Sequence, residues 1–254
     1  FQIDKFFENQ NHKLFGNLSI ALNGKGPTLA PTLKGNINAQ DFAIAENKIG
    51  NLYGTLVSNP QASRFSMTSK DKLSAANFEI QKNSVFWLIK NGFVRLKSGD
   101  QVSLYGSINR KTQMIEASLN AQNITTKTLR PFLTVFSQIT AKLNMSGKIS
   151  GNLKEPVLTA RVTSRNILFN SEEKMIDSFS TQMIWDRKLF QMLNCQLGQS
   201  YAGFFKYWKK PEARFEVKAD IQNGSPKVLF TFLNATPNLT GELNGSLHLT
   251  YRKF

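Results

Sequence analysis

Apolar residues recur at every second position along most of the chain, in runs broken by Gly, Asn, Ser or Pro. Leu18, Ile20 and Leu22 form one run, Val102, Leu104, Gly106 and Ile108 another, and Ile115, Ala117, Leu119 and Ala121 a third. Further along come Phe179, Thr181, Met183 and Trp185, then Phe215, Val217, Ala219 and Ile221, and finally Leu239, Gly241, Leu243, Gly245, Leu247 and Leu249. Asn, Ser, Lys, Thr and Gln fill the positions between. A period of two sends successive side chains to opposite faces of a strand. Each strand therefore has one dry face and one wet face, which calls for antiparallel pairing with one side of the sheet in water. Continuous apolar runs suited to a parallel sheet are missing. Only Thr126 to Gln138 has helical spacing, through Leu129, Leu133 and Phe136. Lys227 to Leu233 is ambiguous, because Pro226 is placed to open a helix while Phe230 and Phe232 alternate. The pattern predicts an all-β chain, a long antiparallel sheet with one or two short helices.

The chain also repeats itself. Asn123, Leu129, Phe132, Leu133, Thr140, Leu143, Asn144 and Ser146 recur as Asn223, Leu229, Phe232, Leu233, Thr240, Leu243, Asn244 and Ser246, at a constant offset of 100 residues. A second echo joins Pro31-Thr32-Leu33-Lys34-Gly35-Asn36-Ile37 to Pro156-Val157-Leu158-Thr159-Ala160-Arg161-Val162, with Phe42 and Ile167 following in step. Two echoes in the same order point to duplication. They predict a first β-meander repeat over 1–125, a second over 126–225 that opens with the helix near 126–138, and the start of a third over 226–254. The first residue is not a methionine and the last segment opens a new repeat, so the chain reads as a piece of a longer repetitive protein.

The segments Leu22-Asn23-Gly24-Lys25-Gly26, Ala30 to Ile37 and Met145 to Thr159 resemble the recurrent unit of the TamB/AsmA-like proteins. In that unit a short apolar helix precedes a glycine-rich strand pair, a proline turn and a further strand. Leu88 to Leu119 is similar in style, with Asn91-Gly92 and Ser98-Gly99-Asp100 read as turns between strands. The resemblance covers most of the chain and lies in pattern and punctuation. It implies a sheet curled into a half-open trough, a β-taco, whose concave apolar face holds acyl chains. It also implies a periplasmic location, in an inner-membrane-anchored cell-envelope protein that bridges the two membranes of a diderm bacterium. The partners so implied are phospholipid or another anionic lipid. The family's second described role, as a scaffold assembling outer-membrane β-barrels with a barrel partner, is the alternative. Strands stack about 4.8 Å apart, so roughly 16 to 18 of them would make a trough of about 80 Å.

Composition changes this picture little. The net charge is +15, from 32 basic and 17 acidic residues, and it predicts attraction to an anionic surface. The cations alternate with apolar residues, as at Arg95 and Lys97 or Lys142 and Lys148, which is the pattern of a solvated face. No stretch approaches the roughly 18 to 20 apolar residues of a membrane-spanning helix, and no signal peptide opens the chain. Cys195 is the only cysteine, so no disulfide forms within the chain and a cysteine metal site is not expected.

Enzyme chemistry finds no support in the residues, and no catalytic residue, cofactor or metal is expected. The two histidines, His12 and His248, have no partner motif, and Glu172, Glu173 and Asp177 flank an expected loop, the place of a solvated turn. Gly24-Lys25-Gly26 lacks the Lys-Ser/Thr ending of a phosphate loop. A β-helix lyase would show rungs of roughly 20 to 25 residues, unlike this longer period. Phe204-Phe205-Lys206-Tyr207-Trp208-Lys209-Lys210 interleaves aromatics with cations. That mixture suits an ordinary strand end, a membrane interface or a single-strand nucleic-acid platform. Charge spread along the whole chain argues against nucleic acid, which a compact basic module would bind. Lys206, Tyr207, Trp208, Lys209 and Lys210 stand as membrane-interface candidates.

For the dry face, the residues expected to line a lipid groove are Leu18, Ile20, Leu22, Leu33, Ile37, Val102, Leu104, Ile108, Leu119, Leu143, Leu158, Val162, Phe215, Val217, Leu243 and Leu247. An open trough and a closed two-sheet sandwich demand identical alternation, so the sequence leaves both open.

Overall fold

The computed structural model describes residues 14–28, 30–44, 47–69, 73–129, 139–169, 176–208, 214–228 and 241–252. The alternating runs become strands, fifteen among the described residues: β1 (Leu14–Lys25), β2 (Thr32–Ile44), β3 (Asn47–Ser58), β4 (Ala62–Ser69), β5 (Leu73–Lys82), β6 (Phe86–Leu96), β7 (Gln101–Asn109), β8 (Met114–Thr125), β9 (Ile139–Asn152), β10 (Glu155–Phe169), β11 (Ile176–Trp185), β12 (Leu189–Leu197), β13 (Tyr201–Trp208), β14 (Arg214–Gly224) and β15 (Leu243–Arg252). They make one antiparallel sheet in simple chain order, with β1 and β15 at its edges. Among the described elements, every substantial contact joins neighbouring strands, apart from that between β9 and the helical turn α1 (Thr126–Leu129). The described strands form a single hydrogen-bonded sheet. The rest of the helix expected to Gln138, and the stretch from Leu229 to Leu233, lie outside the described residues; Pro226 to Val228 are helical.

By their internal contacts the residues fall into two compact units, Phe1–Ala117 and Ser118–Phe254. The division lies inside β8, whereas the repeat boundaries expected from sequence lie just after β8 and β14, where the chain enters its helical turns. At both of those points the backbone is built alike. Asn123 and Asn223 both take positive φ, 55° and 49°. Each donates its N–H to the side chain of an asparagine on the next strand, Asn144 Oδ1 at 3.0 Å and Asn244 Oδ1 at 2.7 Å. Asparagine tolerates the left-handed region, so residue choice at both positions follows from the turn the chain makes.

One expected turn is absent. Asn91-Gly92 lies inside β6, where the register slips between Ile89↔Gly106 and Gly92↔Leu104 as in a bulge. Gly92 is needed there for close approach: a Cβ would stand 2.9 Å from the Leu104 carbonyl and 3.1 Å from the Phe78 ring. Likewise Pro156 is the second residue of β10, opposite Gly151; Asp177 is the second residue of β11.

In each unit the buried core gathers at one end of the strands. In the first, Ala39, Leu52 and Ala76 are buried beneath Leu18, Phe42, Met67, Phe78, Val94 and Leu96. In the second, Ile139, Ala141, Ile167, Phe169 and Leu197 close around Val228 from the helical turn after β14. Tyr201 ties that turn down by donating its hydroxyl hydrogen to the Ser225 carbonyl at 2.7 Å. The other helical turn is fixed by buried Thr126, whose Oγ1 donates to the Ile139 carbonyl at 2.7 Å and accepts the Ala141 N–H at 3.2 Å. Thr126→Val strands both backbone groups without partners, and urea titration is expected to register a loss of about 2 kcal/mol.

Candidate functional site

Register converts alternation into a surface. In the first unit, Ile20, Ile37, Gly54, Met67, Ala76, Val94 and Val102 stand opposite one another in an unbroken row across seven strands. A parallel row runs Leu22, Gly35, Leu56, Phe65, Phe78, Gly92 and Leu104. Leu18 pairs with Ala39, Leu33 with Gly24 and Ile108 with Trp87, on the same face. Paired residues share a face of the sheet, so the predicted residues of this unit converge on one side. The opposite side carries polar pairs, with Thr55 and Ser66 hydroxyls bonded at 2.9 Å and Arg64 meeting Glu79 at 3.2 Å, but also exposed Tyr53, Val57 and Tyr105. Arg95, Lys97, Lys142 and Lys148 are all exposed.

The second unit repeats the plan. Leu158 pairs with Ile149 and Trp185, Val162 with Met145 and Thr181, and Leu143 with Ser164. Val217 joins Phe205 and Leu249, Ala219 joins Leu247, and Leu243 meets Gly224 past a register slip. Phe215 pairs with Tyr207 and Tyr251. Leu119 lies on the side of β8 that buries Ala121. Here too the predicted residues share one face within their unit.

On both dry faces the core cluster lies toward one strand end and exposed large apolar side chains toward the other, although Ile115 near that end of β8 is buried. Ile20 and Leu22, toward the open end of β1, are 49% and 50% exposed. Trp87, Trp185 and Tyr251 are 41%, 48% and 53% exposed at the corresponding strand ends, while Phe169 at the closed end keeps 1%. Scattered exposed apolar residues are ordinary; what distinguishes this face is that its exposed side chains stand in register with further apolar residues on the neighbouring strands.

The aromatic-cationic segment is divided by its strand. Tyr207 projects to the dry face with Phe215, whereas Lys206 and Trp208 alternate to the wet one. Lys206 Nζ lies 4.6 Å from the Phe204 ring centre and the Arg214 guanidinium 4.1 Å from that of Trp208. These cations therefore cover aromatic rings on the wet side. Lys209 and Lys210 lie outside the described residues.

Sequence reasoning did not single out Trp185, Phe190 or Tyr251, nor the position of Cys195. Each belongs to an alternating run, but only register reveals its neighbours. Cys195 is half-buried opposite Gly203, with its Sγ 3.2 Å from Thr181 Oγ1. Burial pushes its thiol up, against the weaker pull of hydrogen bonds to the Thr181 side chain and the Phe205 backbone. A raised thiol holds less thiolate at a given pH. Alkylation by iodoacetamide in mildly alkaline buffer is therefore expected to be slower in the folded chain than in urea. It should still be climbing at a pH where the unfolded chain's rate has levelled.

No group of three or more metal-ligating side chains occurs among the described residues, and no helix there is long and apolar enough to cross a membrane. His12, Glu172 and Glu173 lie outside the described residues. His248 Nε2 lies 3.1 Å from Glu216 Oε1 on the wet side, both reaching solvent. A shallow polar concavity lined by Asn120, Asn144, Ser146, Arg161 and Thr163 also faces that side. Compared with family models, curated proteins and solved structures, the chain matches none.

Proposed function

We propose that the chain shields phospholipid acyl chains on its dry face, as a segment of a periplasmic bridge that carries lipid between the inner and outer membranes of a diderm bacterium. The observation that carries this reading is that each unit has an apolar sheet face with large side chains exposed toward one strand end, Ile20 and Leu22 in the first and Trp185 in the second, each about half exposed. A free tail of 16 carbons costs on the order of 12 kcal/mol in water at about 0.8 kcal/mol per methylene. Chemically similar rows repeated from strand to strand offset that cost without a single deep trap, so a tail is held yet slides. The likeness in punctuation to the TamB/AsmA-like proteins points the same way.

The alternative is a scaffold for outer-membrane β-barrel assembly, with a barrel partner. Its support is that β1 and β15 each pair on one side only among the described residues, and an unpaired edge templates a client strand. The two readings need different parts of the sheet. A conduit uses the dry side chains and a scaffold uses the edge backbone.

Native mass spectrometry of the chain, after incubation with phosphatidylglycerol or phosphatidylethanolamine vesicles and gel filtration, tests the proposal. Retained phospholipid is expected in the wild type and reduced in Leu104→Glu and Leu143→Glu, with the strand signal in circular dichroism preserved. A lipid-free wild type that is well folded would reject the conduit and favour the scaffold.

A further inference from the structure

In the second unit one residue from each of five consecutive strands is aromatic at the same register: Trp185, Phe190, Tyr207, Phe215 and Tyr251, each opposite the next. Aromatics make up 11% of the chain, so five in line is not what composition supplies unaided. The row stands at the open end of the dry face. Trp185 and Tyr251 are about half exposed, and the Phe215 and Tyr251 rings stack at 5.4 Å.

Inward along the strands the chemistry changes in steps. The next row is aliphatic and aromatic, with Met183, Met192, Phe205, Val217 and Leu249 opposite one another. Behind it Cys195, Gly203 and Ala219 form a row of small residues ending at Leu247. Beyond that lie Phe179, Leu197, Tyr201 and Ile221, against the closed core. From Trp185 to Phe179 is six residues, about 20 Å at roughly 3.3 Å each. The tails of one bilayer leaflet need about 15 Å, half of a roughly 30 Å hydrocarbon core.

Outward from the row the turns are basic. Lys154, Arg187 and Lys188 are exposed there. The acidic groups beside them are engaged: Glu155 meets Arg187 at 3.5 Å, and the Asp186 carboxylate accepts the N–H groups of Lys188 and Leu189 at 2.6 and 2.7 Å. Hydrocarbon, then aromatic rings, then cations is the order in which a membrane interface arranges side chains.

We infer that this aromatic row is the headgroup rim of a bound anionic phospholipid. Its tails lie along the strands over Phe205 and the small residues behind it, and its phosphate reaches the turns at Lys154 and Lys188. This rests on the conduit reading and adds a binding orientation, across the sheet, and a headgroup preference. Tyrosine and tryptophan suit the level of the glycerol backbone, having one apolar body and one polar tip.

The test uses the full chain with Trp87→Phe and Trp208→Phe, which leaves Trp185 as the only tryptophan. It is loaded from phosphatidylglycerol or phosphatidylcholine vesicles carrying a nitroxide either on the headgroup or near the tail end. Vesicles are then removed by gel filtration. The expected result is loss of Trp185 emission with the headgroup label, retention with the tail label, and protection of Cys195 from alkylation by either lipid. Lys154→Gln and Lys188→Gln should each cut the preference for phosphatidylglycerol by about fivefold, from the interaction of one basic side chain with an anionic headgroup. Stronger quenching by the tail label, with lipid retained and Cys195 protected, would overturn the rim and leave the conduit standing. Quenching that vanishes when vesicles are removed, again with Cys195 protected by retained lipid, would also overturn it, making the row a bilayer contact. No retained lipid and no protection would remove the conduit reading and this inference together.

Discussion

Phe169→Ala is expected to destabilise the second unit by about 3 to 5 kcal/mol, the range for deleting a buried phenyl ring from a packed core. Phe169 ends β10 at 1% exposure, in one cluster with Ile139, Ile167, Leu197 and Val228. Val228 belongs to the helical turn after β14, so the ring joins that turn to the sheet and its loss leaves a cavity that neither part can fill alone. Trp185→Ala removes a larger side chain from the same unit's dry face, yet at 48% exposure it should cost well under half as much. Urea unfolding of both variants, followed by circular dichroism, checks the contrast. Equal losses would mean that the aromatic end is covered in solution and that the open end described above is closed.

Gly203→Val should be as damaging, through a different route. A Cβ at Gly203 would overlap the Lys218 carbonyl oxygen and stand 3.0 Å from the Ala219 Cα. Both are backbone atoms of β14 and cannot rotate away, so β13 must leave its register with β14 or the strands must part. Loss of several kcal/mol is expected, since strain of this kind exceeds the 1 to 3 kcal/mol typical of overpacking by a side chain alone. Hydrogen exchange should show amides of β13 and β14 losing protection first. Unchanged exchange there would mean that β13 and β14 sit farther apart than described.

The fold class was legible because a two-residue period is a property of single strands, and Leu18, Ile20 and Leu22 declare their face without knowledge of any neighbour. Strand order was nearly as legible, since short Gly- and Asn-rich breaks leave each strand nothing to reach but the next. Register was not. It slips between Ala39 and Phe42 on β2, between Glu79 and Ile80 on β5 and between Ser180 and Gln182 on β11, and nothing local announces a bulge. Asn91-Gly92 shows the difficulty: the dipeptide that most often marks a tight turn here permits close approach inside a continuous strand. The aromatic row was hidden for the same reason. Trp185, Phe190, Tyr207, Phe215 and Tyr251 are scattered through the sequence, and only pairing brings them into line.

The cationic segment shows a second limit. Read as a string, Lys206, Tyr207 and Trp208 make one amphipathic patch. The pleat splits them, giving Tyr207 to the dry face and leaving Trp208 beneath Arg214 on the wet one. A strand pattern predicts faces well and patches poorly, because a patch is assembled from several strands.

Strictly sequential strand order has a consequence for how such a chain is made and how it changes length. Every strand pairs with the one just synthesised, so apart from the longer connections before β9 and β15 loop closure is short and assembly can advance as a zipper from a hairpin. Insertion or deletion of one whole hairpin moves the chain by two strands, which restores both direction and the side each residue faces. Odd numbers would invert the sheet downstream and turn its greasy side to solvent. Evolutionary drift in length is thereby quantised in pairs.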